Sequence, residues 1–364
     1  MPQKKRILIC PLDWGLGHAT RCIPIIHLLL QKNIEVVVGG NGSSLALLKK
    51  EFPELTFIEL PGYNIQYTNG SLALKLFLST PKIFTAIKKE HDQLEKIIRE
   101  KKIDLVISDN RFGLWNKQVR TIFITHQLMI KAPIGERLLY RINRYYIRKF
   151  NECWIPDLAG RPNLAGDLSH PYPLPANAFY IGPLSRFSLL KKVSAKPLFP
   201  LKSTYHVMVI ISGPEPQRQL FENIILKQAL TIPLNFLIVR GVTETKQTAE
   251  TRNNLDIVSH LPTVEMQEAI LSSAVIVSRS GYSTIMDLSA LKKKAIFIPT
   301  PGQTEQEYLA QLCMKKQYAY METQGTFDLK RALKEVMAYK GFDGSNKTQG
   351  NELEKRVDLV LYDL

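Results

Sequence analysis

Cysteine is scarce in this sequence, with four residues among 364, at positions 10, 22, 153 and 313. No two of them stand at the short spacing that a disulfide framework or a zinc site requires. Histidines and carboxylates form no tight group with metal-ligand spacing either, and no Asp-x-Asp occurs. The composition therefore excludes a disulfide-rich secreted scaffold, and we expect reduced buried thiols, no bound metal and no cofactor.

Long apolar runs are also missing, because no stretch of about eighteen uninterrupted apolar residues is present. The start of the chain imitates a signal peptide, with Lys4, Lys5 and Arg6 before an apolar run, but that run stops at Pro11. Nothing in the sequence is expected to span a bilayer. We predict a cytoplasmic protein.

Acidic residues are outnumbered, since 33 Asp and Glu stand against 48 Lys and Arg, for a net charge of +15. This excess favours an anionic partner, and nucleic acid, anionic lipid and phosphorylated substrates all qualify. No nucleic-acid-binding motif accompanies the charge, so we expect no nucleic acid among the partners.

Short β-branched stretches alternate with longer amphipathic ones, the pattern of parallel strands joined by helices. In the first half, strands are predicted over 6–10, 35–39, 56–60, 105–109 and 121–125, and helices over 19–31, 43–51 and 134–150. In the second half, strands are predicted over 206–212, 234–239, 257–260, 275–278 and 295–298, and helices over 217–229, 283–291 and 304–315.

Prolines crowd the stretch 156–200 and periodicity fades there, which indicates a domain boundary with a linker. A chain of 364 residues also exceeds one typical core. We predict an α/β protein with two doubly wound, Rossmann-like domains, 1–182 and 183–345, that face each other across a cleft. A last helix within 350–364 is expected to pack back on the first domain.

A glycine-rich turn follows the first predicted strand, where Gly15 and Gly17 precede His18 at a helix start. Glycines let the backbone approach a ligand, and a helix start offers free amide hydrogens to an anion. An imidazole here could take a proton from a sugar hydroxyl. Asp109, at the end of another strand, could orient His18 or act as the base itself. The alternatives are a helix-capping histidine and a turn aspartate.

Two polar turns in the second half follow neighbouring predicted strands. The first holds Ser280, Gly281, Ser283 and Thr284 at a helix start that suits a diphosphate, with Asp287 one turn further along. A carboxylate at that position can accept both ribose hydroxyls. The second turn holds Gln303, Gln306 and Glu307, which are able to bind sugar hydroxyls.

The block 275–308 resembles the donor site of the MurG-like glycosyltransferases of family 28, on the Ser-Arg-Ser-Gly at 278–281, Asp287 and the Gln-Glu-Tyr at 306–308. Residues 15–18 resemble their first glycine-rich loop, and the resemblance covers most of the chain. It implies the GT-B fold, a UDP-sugar donor carrying N-acetylglucosamine or a similar hexose, inversion at the anomeric carbon, no required metal and a lipid-linked acceptor.

The resemblance also implies roles for individual residues. Asp287 matches the acidic ribose-binding position, and Gln306 with Glu307 matches a Gln-Gln pair that reads the sugar, so Glu307 bears on which sugar is bound. His260 and Leu261 fall where the family frames uracil, while prolines near Gly213 leave phosphate contact to Arg218 or backbone amides. The full donor-side set is Gly213, Arg218, His260, Leu261, Arg279, Ser280, Gly281, Ser283, Thr284, Asp287, Gln303, Gln306 and Glu307. The acceptor-side set is Gly15, Gly17, His126 and Gln127.

Basic residues recur at helical spacing in the predicted helix over 134–150. Arg137, Arg141, Arg144 and Arg148, which we call the basic stripe, fall on one face of the helix beside apolar and aromatic residues. The segment 72–87 is apolar with scattered lysines. Together these features favour docking on an anionic membrane surface at the inner face of the cell membrane. The alternative is a core-packing helix with a solvated charged face.

The leading hypothesis is therefore a peripheral membrane enzyme that transfers a hexose from a UDP-sugar to a lipid-linked or other glycan acceptor of the cell envelope. A nucleotide-sugar epimerase of the same fold is the nearest rival. A non-catalytic nucleotide-sugar-binding protein is the second. Turnover distinguishes all three.

Overall fold

The computed structural model describes residues 4–62, 81–132, 135–171, 173–188, 204–242, 247–344 and 351–364. The chain divides into two compact units, Met1–Arg186 together with Lys347–Leu364, and Phe187–Asn346. Each unit contains its own seven-stranded sheet.

The first unit has a fully parallel sheet in the order β3-β2-β1-β4-β5-β6-β7. Its strands are β1 (Arg6–Pro11), β2 (Glu35–Gly40), β3 (Thr56–Glu59), β4 (Leu105–Asp109), β5 (Arg120–Ile124), β6 (Glu152–Ile155) and β7 (Ala178–Tyr180). Among the described residues of 16–147, the α-helices are α1 (Leu16–Gln31), α2 (Gly42–Glu51), α3 (Pro81–Lys101) and α4 (Glu136–Ile147). In the register, Pro11 of β1 lies opposite Asp109 of β4, so the loops after these two strands share one edge of the sheet.

The second unit repeats this plan in the order β10-β11-β9-β8-β12-β13-β14, with only the β10–β11 pair antiparallel. Its strands are β8 (Tyr205–Ile210), β9 (Phe236–Val239), β10 (Ala249–Arg252), β11 (Leu255–Val258), β12 (Ser273–Ser278), β13 (Lys294–Phe297) and β14 (Ala319–Met321). The α-helices in the described part of this unit are α5 (Gln217–Ala229), α6 (Thr263–Ser272), α7 (Tyr282–Ala290), α8 (Thr304–Lys315) and α9 (Leu329–Glu335).

Burial explains why these segments form strands. The central strand β4 is buried at all five positions, and β9 and β11 are buried throughout. A parallel sheet covered on both faces buries every strand position, so its strands read as continuous apolar runs. The fold class predicted from this pattern is confirmed, as two mainly parallel α/β sheets.

The proline-rich stretch after residue 156 differs from the linker that its composition predicts. Residues up to Arg186 belong to the first unit, and β7 pairs with β6 inside this stretch. The buried carboxylate of Asp157 organises the turn between them, because it accepts hydrogen bonds from the amides of Leu158, Leu164 and Ala165 at 2.9 to 3.0 Å. A carboxylate that binds several backbone amides stabilises an irregular loop that lacks ladder hydrogen bonds.

The last helix, α10 (Glu352–Tyr362), belongs to the first unit. Arg356 binds the buried Glu152 of β6 at 2.7 Å and stacks over the Phe179 ring at 3.5 Å. Lys32, after α1, pairs with Asp358 at 2.6 Å. Burial alone would raise the pKa of Glu152, but hydrogen bonds from Arg356, Trp154 and Arg120 lower it, so the carboxylate stays charged.

Candidate functional site

The loop between β1 and α1 contains a glycine, Gly15, with a positive φ, and the carboxylate of Asp13 fixes the loop by hydrogen bonds. Gly15 precedes α1 with φ of 104°, a conformation that L side chains rarely adopt, and a Cβ added there would meet nothing within 4 Å. Asp13 accepts hydrogen bonds from the Ser43 hydroxyl at 3.2 Å and the Ser44 amide at 3.1 Å. The start of α1 is therefore fixed against α2 while its backbone remains accessible.

His18 and Asp109 are in direct contact, as their positions after β1 and at the end of β4 predict. Nδ1 of His18 lies 2.8 Å from Oδ1 of Asp109. The Asp109 side chain is fully buried, whereas that of His18 is 15% exposed. The imidazole therefore faces the carboxylate with one nitrogen, and Nε2 is on the opposite side of the ring.

Arg21 joins this pair, and sequence reasoning missed it. Its Nε lies 2.5 Å from Oδ2 of Asp109, and its Nη2 also donates to Oδ1, which makes a bidentate ion pair with both residues buried. Nη2 lies 2.8 Å from Nδ1 of His18 as well. The available signal was the spacing, since Arg21 follows His18 by three positions and so shares its helix face.

The electrostatics of the cluster follow from burial and from this ion pair. Burial lowers the pKa of His18, Arg21 lowers it further, and Asp109 opposes them. For Asp109, burial acts to raise the pKa, but Arg21 and then His18 outweigh it and hold the pKa at about 2. At neutral pH the cluster therefore contains a carboxylate anion, a guanidinium cation and a neutral imidazole.

His126 joins the same cluster, and the backbone of its neighbour Gln127 contacts α4. Nη1 of Arg21 lies 3.1 Å from Nδ1 of His126, which is 5% exposed and follows the end of β5. The backbone carbonyl of Gln127 accepts a hydrogen bond from Asn143 of α4 at 2.7 Å. The structure thus brings His18, Asp109 and His126 together around Arg21.

In the second unit, Arg279 points into the protein. It is 1% exposed, and it donates to the carbonyls of Ile298, Pro299 and Gln217 at 3.0 to 3.2 Å. Burial lowers its pKa to about 10, so the side chain stays charged at neutral pH. Arg279 therefore ties the loops after β12 and β13 to the start of α5, and its guanidinium donates to protein groups rather than into open space.

The start of α7 carries the predicted polar residues. Gly281 precedes the helix, and a Cβ built there would meet only the Thr284 hydroxyl, at 4.0 Å. Ser280 is fully buried and donates to the Gln306 carbonyl at 2.7 Å. Asp287, 5% exposed, lies inside the same helix. This helix start has room for a ligand beside Gly281.

The turn after β13 is stiffened by the residues predicted to read the sugar. Oε1 of Gln306 accepts from the Thr300 amide at 2.9 Å, and its Nε2 donates to the Gln303 side chain. The Glu307 carboxylate accepts from the Gly302 amide at 3.1 Å. Gln303, Gln306 and Glu307 are therefore neighbours, and each is only partly buried.

Arg218 contacts two glutamates rather than the residues of the turns after β12 and β13. It pairs with Glu215 at 2.5 Å and with Glu222 at 2.9 Å, and Glu222 also binds Arg240 at 2.6 Å. Two carboxylates therefore neutralise the charge of Arg218, the residue that the sequence predicts to contact a phosphate. Gly213, in the same loop, is exposed with φ of 113°, which leaves its backbone as the accessible group.

His260 and Leu261 follow β11. Nδ1 of His260 lies 3.2 Å from the Ser259 hydroxyl, its carbonyl accepts from Gln247 at 2.9 Å, and Leu261 is 5% exposed. The half-buried imidazole of His260 and the apolar side chain of Leu261 therefore adjoin each other at the carboxyl edge of the sheet.

The basic stripe is at the surface of the first unit. Arg137, Arg141 and Arg148 are exposed, and Arg144 is partly buried. Two large apolar side chains beside the stripe are also exposed, Leu138 at 62% and Tyr145 at 60%. Residues 72–80 of the upstream apolar segment lie outside the described residues.

Among the described residues, no three His, Cys, Asp or Glu side chains are grouped so that they could hold a metal ion. Within the same residues, no helix is both long and apolar enough to cross a membrane.

Comparison with known proteins agrees with this architecture. Residues 208–359 match the glycosyltransferase family 28 C-terminal domain. The chain is 24% identical over 351 residues to an uncharacterized glycosyltransferase of Methanosarcina acetivorans, covering 88% of this chain and 86% of that protein. These matches confirm the resemblance to family 28.

Two solved structures show the same fold. One is MurG of Acinetobacter baumannii, with a TM-score of 0.55 and 13% identity over 98% of this chain and 99% of that one. The other is a Listeria monocytogenes protein assigned as a UDP-N-acetylglucosamine 2-epimerase, with a TM-score of 0.64 and 10% identity over 99% of this chain and 96% of that one. At these identities the likeness establishes the fold alone.

Proposed function

We propose that this glycosyltransferase, which combines a GT-B fold with a family 28 C-terminal domain, transfers a hexose from a UDP-sugar to a lipid-linked or other glycan acceptor. The transfer inverts the anomeric carbon and needs no metal. The observation that carries the proposal is the buried contact between His18 and Asp109 in the first unit.

His18 acts as the general base in this reaction. A sugar hydroxyl is a poor nucleophile near neutral pH, and a positioned base contributes about 10² to 10⁴ in rate. The lowered pKa of His18 keeps its imidazole neutral, which is the form that takes a proton. When Nδ1 donates its hydrogen to Asp109, the lone pair is on Nε2, and Nε2 removes the proton from the hydroxyl as that oxygen attacks the anomeric carbon.

Asp109 orients His18 and does not serve as the base. Its side chain is fully buried, Arg21 binds both of its oxygens, and its pKa is about 2. A carboxylate with so low a pKa is a very weak base at neutral pH. Its negative charge instead stabilises the imidazolium that forms when His18 takes the proton.

The second unit holds the donor. The open start of α7 beside Gly281 offers amide hydrogens and a positive helix end to the diphosphate. Asp287, one turn inside that helix, binds the ribose hydroxyls. The departing UDP carries its negative charge onto the same helix end, which stabilises the leaving group without a metal.

The basic stripe docks the enzyme on the anionic inner face of the cell membrane. Its exposed arginines with Leu138 and Tyr145 combine charge with apolar area, as an interfacial helix does. This position supports access to a lipid-linked acceptor.

The decisive experiment is a UDP-release assay across a panel of UDP-hexoses, with and without a membrane extract as acceptor. Acceptor-dependent release of UDP with a glycosylated product supports the proposal. Interconversion of the sugar without an acceptor would indicate that the activity is epimerisation rather than transfer, which the shared fold also allows. Binding of UDP-sugars with no turnover of either kind would indicate a non-catalytic nucleotide-sugar-binding protein.

A further inference from the structure

The strand β10 is the outermost strand of the second unit's sheet, within the part of the chain that the structure describes. It has four residues, of which Ala249, Thr251 and Arg252 are exposed and Glu250 is partly buried. It also departs from the parallel plan of the sheet, because it pairs antiparallel with β11. We propose that β10 is a dimerisation edge, which pairs antiparallel with β10 of a second copy of this chain so that one sheet continues through both copies. This inference is independent of the proposed activity.

The hydrogen bonds of β10 fix which of its backbone groups face outward. The Ser259 amide donates to the Thr248 carbonyl at 2.9 Å, and these two residues lie opposite each other one step beyond the first register pair of the two strands. Because hydrogen-bonded pairs alternate along an antiparallel ladder, every second residue after Thr248 also turns its backbone towards β11. The residues between them, Ala249 and Thr251, therefore direct their amides and carbonyls away from the sheet, where another strand can pair with them.

The side chains of β10 are complementary in charge to those of a second β10. Glu250 and Arg252 stand on the same face of the strand, on either side of Thr251. When two copies pair antiparallel with their Thr251 residues opposite each other, Glu250 of each copy lies opposite Arg252 of the other, and the two Thr251 residues exchange both backbone hydrogen bonds. Opposite charges on opposed residues stabilise a strand pair, whereas an edge that carries one sign of charge repels its copy. The alternating signs of β10 therefore favour pairing with a second copy in this register.

Arg252 is the end of a chain of alternating charges and has space for a second partner. Arg240 pairs with Glu222 at 2.6 Å and with Glu250 at 3.5 Å, and Glu250 accepts from Nη2 of Arg252 at 2.9 Å. Among the described residues, Glu250 is the only partner of the Arg252 side chain, which is 58% exposed. A cavity of ≈ 370 Å³ beside these side chains is lined by Arg240, Glu250, Arg252 and Ile257, the residue opposite Glu250 on β11. The arginine of a second copy therefore has room beside Glu250.

Two effects oppose this association and determine the conditions of its test. Each copy has a net charge of +15, so two copies repel each other at a distance. At about 0.15 M salt the Debye length is about 8 Å, which screens distant charges while the contact between Glu250 and Arg252 persists. One short strand from each copy also gives a small interface, so we expect a transient dimer with a dissociation constant of roughly 10 µM to 1 mM.

Sedimentation equilibrium of the full chain, from about 10 µM to about 1 mM at this salt concentration, tests the proposal. We expect the wild type to change from monomer to dimer over this range. Glu250→Arg and Arg252→Glu each place like charges opposite each other at two positions, so each should weaken self-association at least about tenfold. In an equal mixture, the two variants should associate with each other within about threefold of the wild type, because every opposed pair is again one acid and one base.

Two further variants separate the edge from net charge and from folding. Lys330→Glu changes the net charge as Arg252→Glu does, at an exposed position of α9, and should leave self-association unchanged. Thr251→Pro removes the outward amide and keeps every charge, and we expect it to abolish the dimer, because proline is tolerated on an edge strand where the amide faces solvent. It gives an independent answer if a charge variant fails to fold, as circular dichroism would show. A wild type that stays monomeric at about 1 mM, undiminished association of the β10 variants, or a mixture that stays monomeric would overturn the proposal.

Discussion

Replacing Asp109 by asparagine should destabilise the first unit, and the size of the effect should depend on pH. Asparagine has nearly the same shape but no charge, so it leaves the buried guanidinium of Arg21 without its counter-ion. Breaking a buried ion pair on one side costs roughly 3 to 5 kcal/mol. At pH 7 we therefore expect the free energy of unfolding of Asp109→Asn to fall by about that amount.

The pH dependence can be worked out from the pKa of Asp109. It falls from an ordinary value of 3.8 to about 2 in the folded protein, a difference of about 1.8. At 1.36 kcal/mol per pKa unit this corresponds to roughly 2 to 3 kcal/mol of stability. Because the folded-state pKa is the lower one, this contribution is fully present above about pH 4 and is lost as the pH falls towards 2. About 1 kcal/mol of it should be gone at pH 3.

Urea unfolding followed by tryptophan fluorescence measures the free energy of unfolding of the first unit, which contains Asp109. The three tryptophans, at positions 14, 115 and 154, all lie within Met1–Arg186. Carboxylates that lie away from this cluster titrate alike in both proteins, so their contributions cancel in the difference between wild type and variant. Asp167→Asn is the matched control, because that side chain is 77% exposed and its loss should cost about 0 to 0.5 kcal/mol. A wild-type advantage that stays constant from pH 7 to pH 3 would refute the argument.

Three further predictions concern the proposed activity. His18→Ala should lower turnover by about 10² to 10⁴ while the affinity for the UDP-sugar, measured by calorimetry, stays the same; near-normal turnover at saturating acceptor would exclude His18 as the base. Asp287→Ala should weaken UDP binding at least about tenfold, since a charge-assisted hydrogen bond contributes about 1.5 to 3 kcal/mol, and Asp343→Ala on the surface of the same unit should not. Changing the basic stripe to glutamine should release the protein from anionic vesicles in a sedimentation assay, because each basic residue near the surface contributes about 1 kcal/mol. Its control removes the same charge from exposed lysines of the second unit, Lys227, Lys315, Lys330 and Lys334, and equal loss in both variants would indicate only a net-charge effect.

Sequence periodicity alone located much of the fold. The strand over 105–109 and the helices over 217–229 and 304–315 have the predicted bounds. These segments are read easily because a buried parallel strand is apolar along its whole length, and a helix on the sheet repeats its apolar face every three or four residues. The strand β7 was missed since its neighbourhood is rich in proline, and its place depends on pairing with β6.

The charged side chains show what only the tertiary structure decided. Arg21 is an ordinary basic residue of an amphipathic helix in the sequence, yet 88 positions separate it from the carboxylate it binds. Likewise, Arg279 and Arg218 look equally available to a phosphate, but one is buried among backbone carbonyls and the other is paired with two carboxylates. Local sequence determines whether a segment becomes a strand or a helix, because that choice depends on neighbours a few residues away. The partner of a long charged side chain depends instead on which strand ends adjoin, and in this protein the alignment of β1 with β4 put Asp109 within reach of both His18 and Arg21.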